Sequence, residues 1–263
     1  MHLFYHILRL AVQQQLTYRT AILAGLATNF FFALLRASVL AALYDGRQQV
    51  NGLTMEGAIT YVAISQAMIA FLFIFGTWDV MTSVYTGAIG ADLLKPIPLF
   101  FHWMARELGR SLVNLVLRGV LLGAIFALFY PFQIPGTPEQ LLALPLAMAL
   151  GWLVSFAWRF LVNLAAFWTP DARGIGRLAF MMMNLFSGFL MPLRLFPDWF
   201  ANLCRLTPFP ALFNTTLEIY LGTISGTALW LALLNQLFWA LALSLLAQVV
   251  LSAGVRRLVI QGG

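Results

Sequence analysis

The sequence predicts an all-α polytopic membrane protein with six transmembrane helices, and three observations lead there. Hydrophobic residues make up 62% of the chain and charged residues 9%, against about 45–50% and about 25% in soluble domains. A chain of 263 residues has no means of hiding that much apolar surface from water, so the bilayer must be its solvent. The apolar residues also fall into runs near the roughly 20 residues a helix needs to cross. No strand-type alternation is sustained between the runs, which speaks against a β-barrel. The chain reads as one transmembrane domain over residues 1–263.

The opening segment, residues 1–20, contains "HLFYHILRLAVQQQLTYRT". Leu3, Ile7, Leu10 and Leu16 recur at helical spacing with Arg9, Gln13 and Arg19 elsewhere, which predicts an N-terminal amphipathic helix in the cytoplasmic interface. It lacks the basic region, apolar core and small-residue site of a cleaved signal peptide, and none is expected. The six predicted spans are residues 21–43, 58–78, 112–130, 141–168, 175–191 and 227–251. The third and fourth are joined by a short Pro-rich stretch, "YPFQIPGTPEQ", suited to an external hairpin loop.

Orientation follows from the basic residues. Arg9, Arg19, Lys95, Arg106, Arg110, Arg173, Arg177, Arg256 and Arg257 share the side of both termini, whereas the opposite loops carry only Arg47, Arg194 and Arg205. That bias predicts a multi-pass protein with both termini cytoplasmic. The net charge of +6 is thus read as a topology signal, with no nucleic acid as partner. Cys204 is the single cysteine, so no intrachain disulfide forms.

Two non-spanning stretches remain. Residues 81–111 form a long cytoplasmic loop whose centre is "DLLKPIP". A helical turn before Lys95-Pro96-Ile97-Pro98 makes a stiff knob, because each proline fixes its own φ and restrains the preceding residue. Residues 192–226 lie outside. Pro192 ends the fifth span, Pro197 suits the first turn of a short helix stopped at Thr207-Pro208, and a second short helix over about 211–221 ends at Gly222. Both are too short to cross and carry aromatic residues, which predicts a re-entrant external helical hairpin before the last span.

Ser187-Gly188, then Pro192-Leu193, Phe196-Pro197, Trp199 and Pro208-Phe209, all just before the final span, resemble the permease subunits of type-2 ATP-binding-cassette (ABC) exporters. "GADLLKPIPLFFHWMARELGR" looks like the cytoplasmic motif of a shorter-chain bacterial branch of that family. The resemblance implies location in the bacterial inner membrane and outward movement of a hydrophobic or amphipathic substrate. It implies two ATPase subunits, with ATP and Mg²⁺ bound there, and a second permease chain, identical or related. It places ATPase coupling at Asp92, Leu93, Leu94, Lys95, Pro96, Ile97 and Pro98, and an external gate at Ser187, Gly188, Pro192, Pro197, Trp199 and Pro208.

No engine is visible in the chain itself. A phosphate-binding loop needs Gly-x-x-x-x-Gly-Lys-Ser/Thr, and the sole lysine, Lys95, sits between Leu94 and Pro96. His2 and His6 are four apart but have no third ligand nearby, so no metal is expected, and no catalytic set is present. No cofactor is expected in this chain.

Charged and polar residues inside the spans supply the translocation-path candidates. Arg106, Arg110, Asn114 and Arg118 recur every four residues, as do Ser155, Arg159 and Asn163, and Arg36 lies in the outer half of the first span. A centrally placed Arg costs about 2.5–3.5 kcal/mol on an insertion scale. Asp79 and the loop carboxylates are the only acids nearby, so arginine is in excess. One reading is snorkelling with hydrogen bonds to neighbouring helices. The other is an inner vestibule lined by Arg118 and Arg159 that receives an anionic amphipath. Gly119-x-x-x-Gly123 offers a small-residue face for packing within the chain or against a second permease. The rival functions are a membrane enzyme or a scaffold acting on lipid without ATP-driven transport. The enzyme reading lacks an acid/base pair in the bilayer.

Overall fold

The computed structural model describes residues 2–72, 78–130, 132–169 and 171–257, so the end of the second predicted span, residues 73–77, lies outside the described residues. The chain belongs to the all-helical class, with twelve helices among the described residues. In order these are α1 (His2–Thr17), α2 (Arg19–Tyr44), α3 (Met55–Leu72), α4 (Asp79–Tyr85), α5 (Ile89–Leu93) and α6 (Leu99–Phe129). There follow α7 (Pro138–Phe167), α8 (Arg173–Phe186), α9 (Asp198–Arg205), α10 (Phe209–Leu212), α11 (Asn214–Tyr220) and α12 (Gly226–Val255).

Local chemistry sets several boundaries. Thr137 and Gln140 form a reciprocal capping box that starts α7, with Pro138 in the first turn. Asp45 closes α2 in the left-handed conformation. Asn51-Gly52, both at positive φ, then turn a two-residue hairpin, β1 (Gln49–Val50) against β2 (Leu53–Thr54). This hairpin is the only sheet among the described residues and an addition to the all-helical expectation.

Among the described residues, five helices are long and apolar enough to cross a membrane: the stretches Thr20–Tyr44, Met55–Leu72, Leu99–Phe129, Pro138–Phe167 and Gly226–Val255. The expected fifth span, residues 175–191, is different. Its helix α8 has 14 residues, about 21 Å at 1.5 Å each, against a hydrocarbon core of about 30 Å. The cause is Gly188, whose φ of +80° suits glycine but not the helix. A Cβ there would lie 2.8 Å from both the Asn214 Oδ1 and the Tyr61 hydroxyl. Beyond Phe186 the chain bends until Pro192.

Helix α3 is the centre of the bundle and is buried nearly all round, its apolar residues having no single face and its polar Thr60, Ser65 and Gln66 buried with them. Ala33, Ala37 and Leu40 of α2, Phe100 at the start of α6, and Phe156 and Phe160 of α7 belong to its core cluster. The Phe100 ring meets both Phe156 and Phe160 edge-on at 5.2 Å. Helix α12 packs lengthwise on α7 and, like α2, leaves a surface of large apolar side chains exposed.

Contacts sort the molecule into two ends. Asp79 with Arg110, Met81 with Asn163 and Gly254 with Phe167 gather one end, which also holds α1 and residues 89–98. Gln133 with Leu221, Gln140 with Ile219, Glu139 with Gly226 and Asn51 with Arg194 gather the other. The first end is rich in arginine, and it is here called the basic end.

Candidate functional site

The basic end carries the loop singled out for coupling. Asp92 closes α5, and its carboxylate accepts a 2.6 Å hydrogen bond from Lys95 Nζ three residues on. His102 Nε2 lies 3.5 Å from the same oxygen. Backbone N–H groups of Lys95 and Ile97 donate to Asp92 and Lys95 carbonyls, so the chain turns tightly into Pro98, which opens α6. Leu93 and Ile97 face inward and are half-buried, Leu94 is 88% exposed, and Lys95, Pro96 and Pro98 are exposed. The apolar knob is therefore narrower than expected: Leu94 stands out while its neighbours hold the loop to the bundle.

Helix α1 does not lie free of the bundle. It packs along the first half of α6, and a Cβ at Gly109 would stand 2.6 Å from the Leu8 carbonyl and 2.8 Å from Ala11 Cβ. A groove of about 470 Å³ runs between Leu3, Ile7 and Leu10 of α1 and Lys95, Pro96 and Arg106. The α1 helix and the proposed coupling loop thus line the same groove.

Deeper in, Ser155, Arg159 and Asn163 act as ties between helices. Ser155 Oγ donates to the Leu72 carbonyl at 2.8 Å, and Asn163 Oδ1 accepts from the Met81 N–H at 3.0 Å. Arg159 Nη1 pairs with Glu107 Oε2 at 2.6 Å, and both side chains are 6% exposed. The partner of Arg159 is a residue that sequence reasoning left among the loop carboxylates. Asn114 is buried, and its Nδ2 donates to the Arg110 carbonyl.

Arg118 departs from the expected four-residue stripe. Residues Leu115–Val120 form a π-helical stretch inside α6, and such a turn takes in extra residue length. Arg110, in the regular helix before it, pairs with Asp79 at 2.6 Å, whereas the Arg118 guanidinium lies over Gly25 of α2, where a Cβ would collide with it. Gly119 packs against the Ala67 carbonyl of α3, and Gly123 has no neighbour within 4 Å of a Cβ position among the described residues. Arg118 shares a cavity with Arg36, while Arg159 is engaged elsewhere with Glu107.

At the opposite end the break after α8 is stapled. Tyr61 donates its hydroxyl hydrogen within a 2.7 Å contact to the Gly188 carbonyl, and the hydroxyl also lies 3.2 Å from Asn214 Oδ1. Asn214 Oδ1 accepts from the Leu193 N–H, and the Asn214 N–H donates to the Ser187 carbonyl. Ser187, Gly188 and Pro192 are buried, Pro208 is half-buried, and Pro197 and Trp199 are exposed. Arg36 reaches the same break: it donates to the Phe189 and Leu190 carbonyls and to Ser65 Oγ, and stands 4.7 Å over the Phe189 ring. Gln236 of α12 ties the region inward, donating to the Ala147 and Ala211 carbonyls. Tyr61, Asn214 and Gln236 were missed in the sequence. Their only signal was polarity inside or beside apolar runs.

A protein-family model described as ABC-2 family transporter protein matches residues 26–262. The chain belongs to that family. No curated protein and no solved structure matches it. The ABC-2 assignment makes this an integral membrane component of a transporter, and the family works with ATPase partners. The loop at the basic end and the stapled break at the other are thus features of an ABC-2 transporter chain.

Proposed function

We propose that this ABC-2 chain is the permease subunit of an ATP-driven exporter in the bacterial inner membrane. It moves a hydrophobic or amphipathic substrate outward, paired with a second permease chain and driven by two separate ATPase subunits. The basic end faces the cytoplasm with both termini, following the arginine asymmetry. Helix α8 together with residues 187–192 makes the fifth of six crossings. The broken carbonyls at Phe189 and Leu190 can sit in lipid because Arg36 satisfies them. The helices α9, α10 and α11 form the external hairpin and close the exit.

The observation that carries this reading is the loop 92–98. It is stiffened by proline and by the Asp92–Lys95 pair, it presents Leu94 outward at the basic end, and it belongs to a chain without a phosphate-binding loop. Such a knob transmits motion from a docked ATPase instead of absorbing it. The test exploits the pair itself. Exchanging the charges, Asp92→Lys with Lys95→Asp, keeps an ion pair within the loop but reverses its surface pattern. The exchanged protein inserts normally and loses co-purification of a co-expressed partner ATPase, together with ATP-dependent uptake into inside-out vesicles. Undiminished co-purification and uptake would rule out this loop as the coupling element.

A further inference from the structure

Two guanidinium groups share one cavity between α2, α3 and α6. It measures about 540 Å³, within the range of small-molecule sites, and Asn29, Arg36, Gln66, Arg118, Phe189 and Leu190 are in its lining. On α2, Gly25, Asn29, Phe32 and Arg36 follow at steps of four, three and four and so share a face. Gly25 and Arg36 are separated by about 16 Å of helix. Arg118 lies over Gly25, so the two positive groups stand at opposite ends of the cavity, Arg118 nearer the basic end.

The charges are not neutralised. Arg36 is held by two carbonyls and a hydroxyl, all uncharged. Arg118 Nε is buried with no hydrogen-bond partner among the described residues. Neither arginine has a carboxylate within ion-pair distance among the described residues, and no Asp or Glu lines the cavity. Positive charge in surroundings of low dielectric attracts an anion far more strongly than it does in water. Thr28, Phe32 and Leu190, also in the lining, are exposed, so the cavity opens sideways between α2 and the break after α8. A ligand there has its charged head inside and its apolar tail against Phe32 and Leu190, toward lipid.

We propose that this cavity binds an amphipathic anion, an alkyl chain bearing a phosphate or carboxylate, admitted sideways from the bilayer with its head on Arg118 and with Arg36 marking the way outward. That this ligand is cargo rests on the export reading. The binding claim rests on the cavity.

The test measures equilibrium binding of radiolabelled dodecyl phosphate to the full chain in phosphatidylcholine nanodiscs, with dodecanol and inorganic phosphate as comparison probes. Arg118→Gln weakens dodecyl phosphate binding roughly tenfold, the scale of one charged hydrogen bond. Arg118→Lys retains most of the affinity, dodecanol binds weakly and equally to all forms, and inorganic phosphate does not compete. Asn29→Asp places a carboxylate between the two arginines with little change in volume. It lowers the affinity by itself, which keeps the test intact if Arg118→Gln fails to fold. Unchanged dodecyl phosphate affinity in Arg118→Gln and Asn29→Asp overturns the proposal, as does dodecanol binding as tightly as dodecyl phosphate. Equal competition by inorganic phosphate overturns the amphipath and leaves a simple anion site. With the ATPase attached, Arg118-dependent binding without stimulated hydrolysis or transport removes the export reading and supports the site. Export of a neutral cargo without Arg118-dependent binding does the reverse.

Discussion

Replacing Glu107 by Gln leaves the Arg159 guanidinium charged, buried and without its carboxylate. The pair meets at 2.6 Å with both side chains 6% exposed, so bulk water screens it little. With charge centres about 4 Å apart and an effective dielectric near 20, the attraction is about 4 kcal/mol. That agrees with the roughly 3–5 kcal/mol expected when one member of a buried pair is removed. At about 2–4 °C per kcal/mol for a chain of this size, the thermal midpoint falls by about 8–16 °C. The assay is size-exclusion chromatography with fluorescence detection after a heating series in detergent. The decisive comparison is Glu107→Gln combined with Arg159→Met. Removing both charges leaves no buried cation lacking its counter-charge and recovers most of the loss. A double variant that melts at or below the single variant refutes the reasoning, as does a single variant that melts with the wild type.

Two further outcomes are expected. Gly109→Leu drives a side chain into the Leu8 carbonyl and Ala11, so α1 is released from α6 and trypsin cleaves at Arg9 and Arg19 faster while the remaining fold melts normally; wild-type cleavage rates would show that α1 is not held there. Burial pushes the Cys204 thiol above its ordinary range, so less thiolate exists at pH 7.5 and maleimide labelling is slower than for a free cysteine, accelerating only as pH rises past that range; labelling at the rate of an exposed thiol would contradict the inward-facing position of Cys204 on α9.

The long apolar helices were legible because the length of an apolar run is compared directly with the thickness of the bilayer. The turn at Pro192 and the stop at Gly222 were legible for an equally local reason, the φ preferences of proline and glycine, whereas the earlier break at Gly188 was not, because its positive φ is fixed by the contacts with Tyr61 and Asn214. What escaped depends on partners far apart in the chain. Glu107 and Arg159 are separated by 51 intervening residues, and nothing in the local pattern of either announces the pair. Arg118 was misplaced because regular four-residue spacing assumes an unbroken α-helix, and the π-helical stretch at Leu115–Val120 shifts it. Asn51-Gly52 was a readable hairpin signal, overshadowed by the surrounding helical pattern. Which leucine of the loop 92–98 faces outward was not legible either: it is settled by packing against the core, to which Leu93 is joined and Leu94 is not.

The wide turn at Leu115–Val120 has one more consequence, in the phase of the helix that carries it. It acts as slack in the winding: an extra residue is accommodated there without lengthening the helix by a full regular step. Forcing regular winding through it with every residue kept would rotate everything beyond by about 100°. Leu122 and Phe126, now fully buried, would turn away from Phe30, and outward-facing neighbours such as Leu121 would take their place. The alignment of the far half of α6 is therefore stored in a miscount of one residue, and a chain shortened by one residue within this turn would wind regularly and keep its seam.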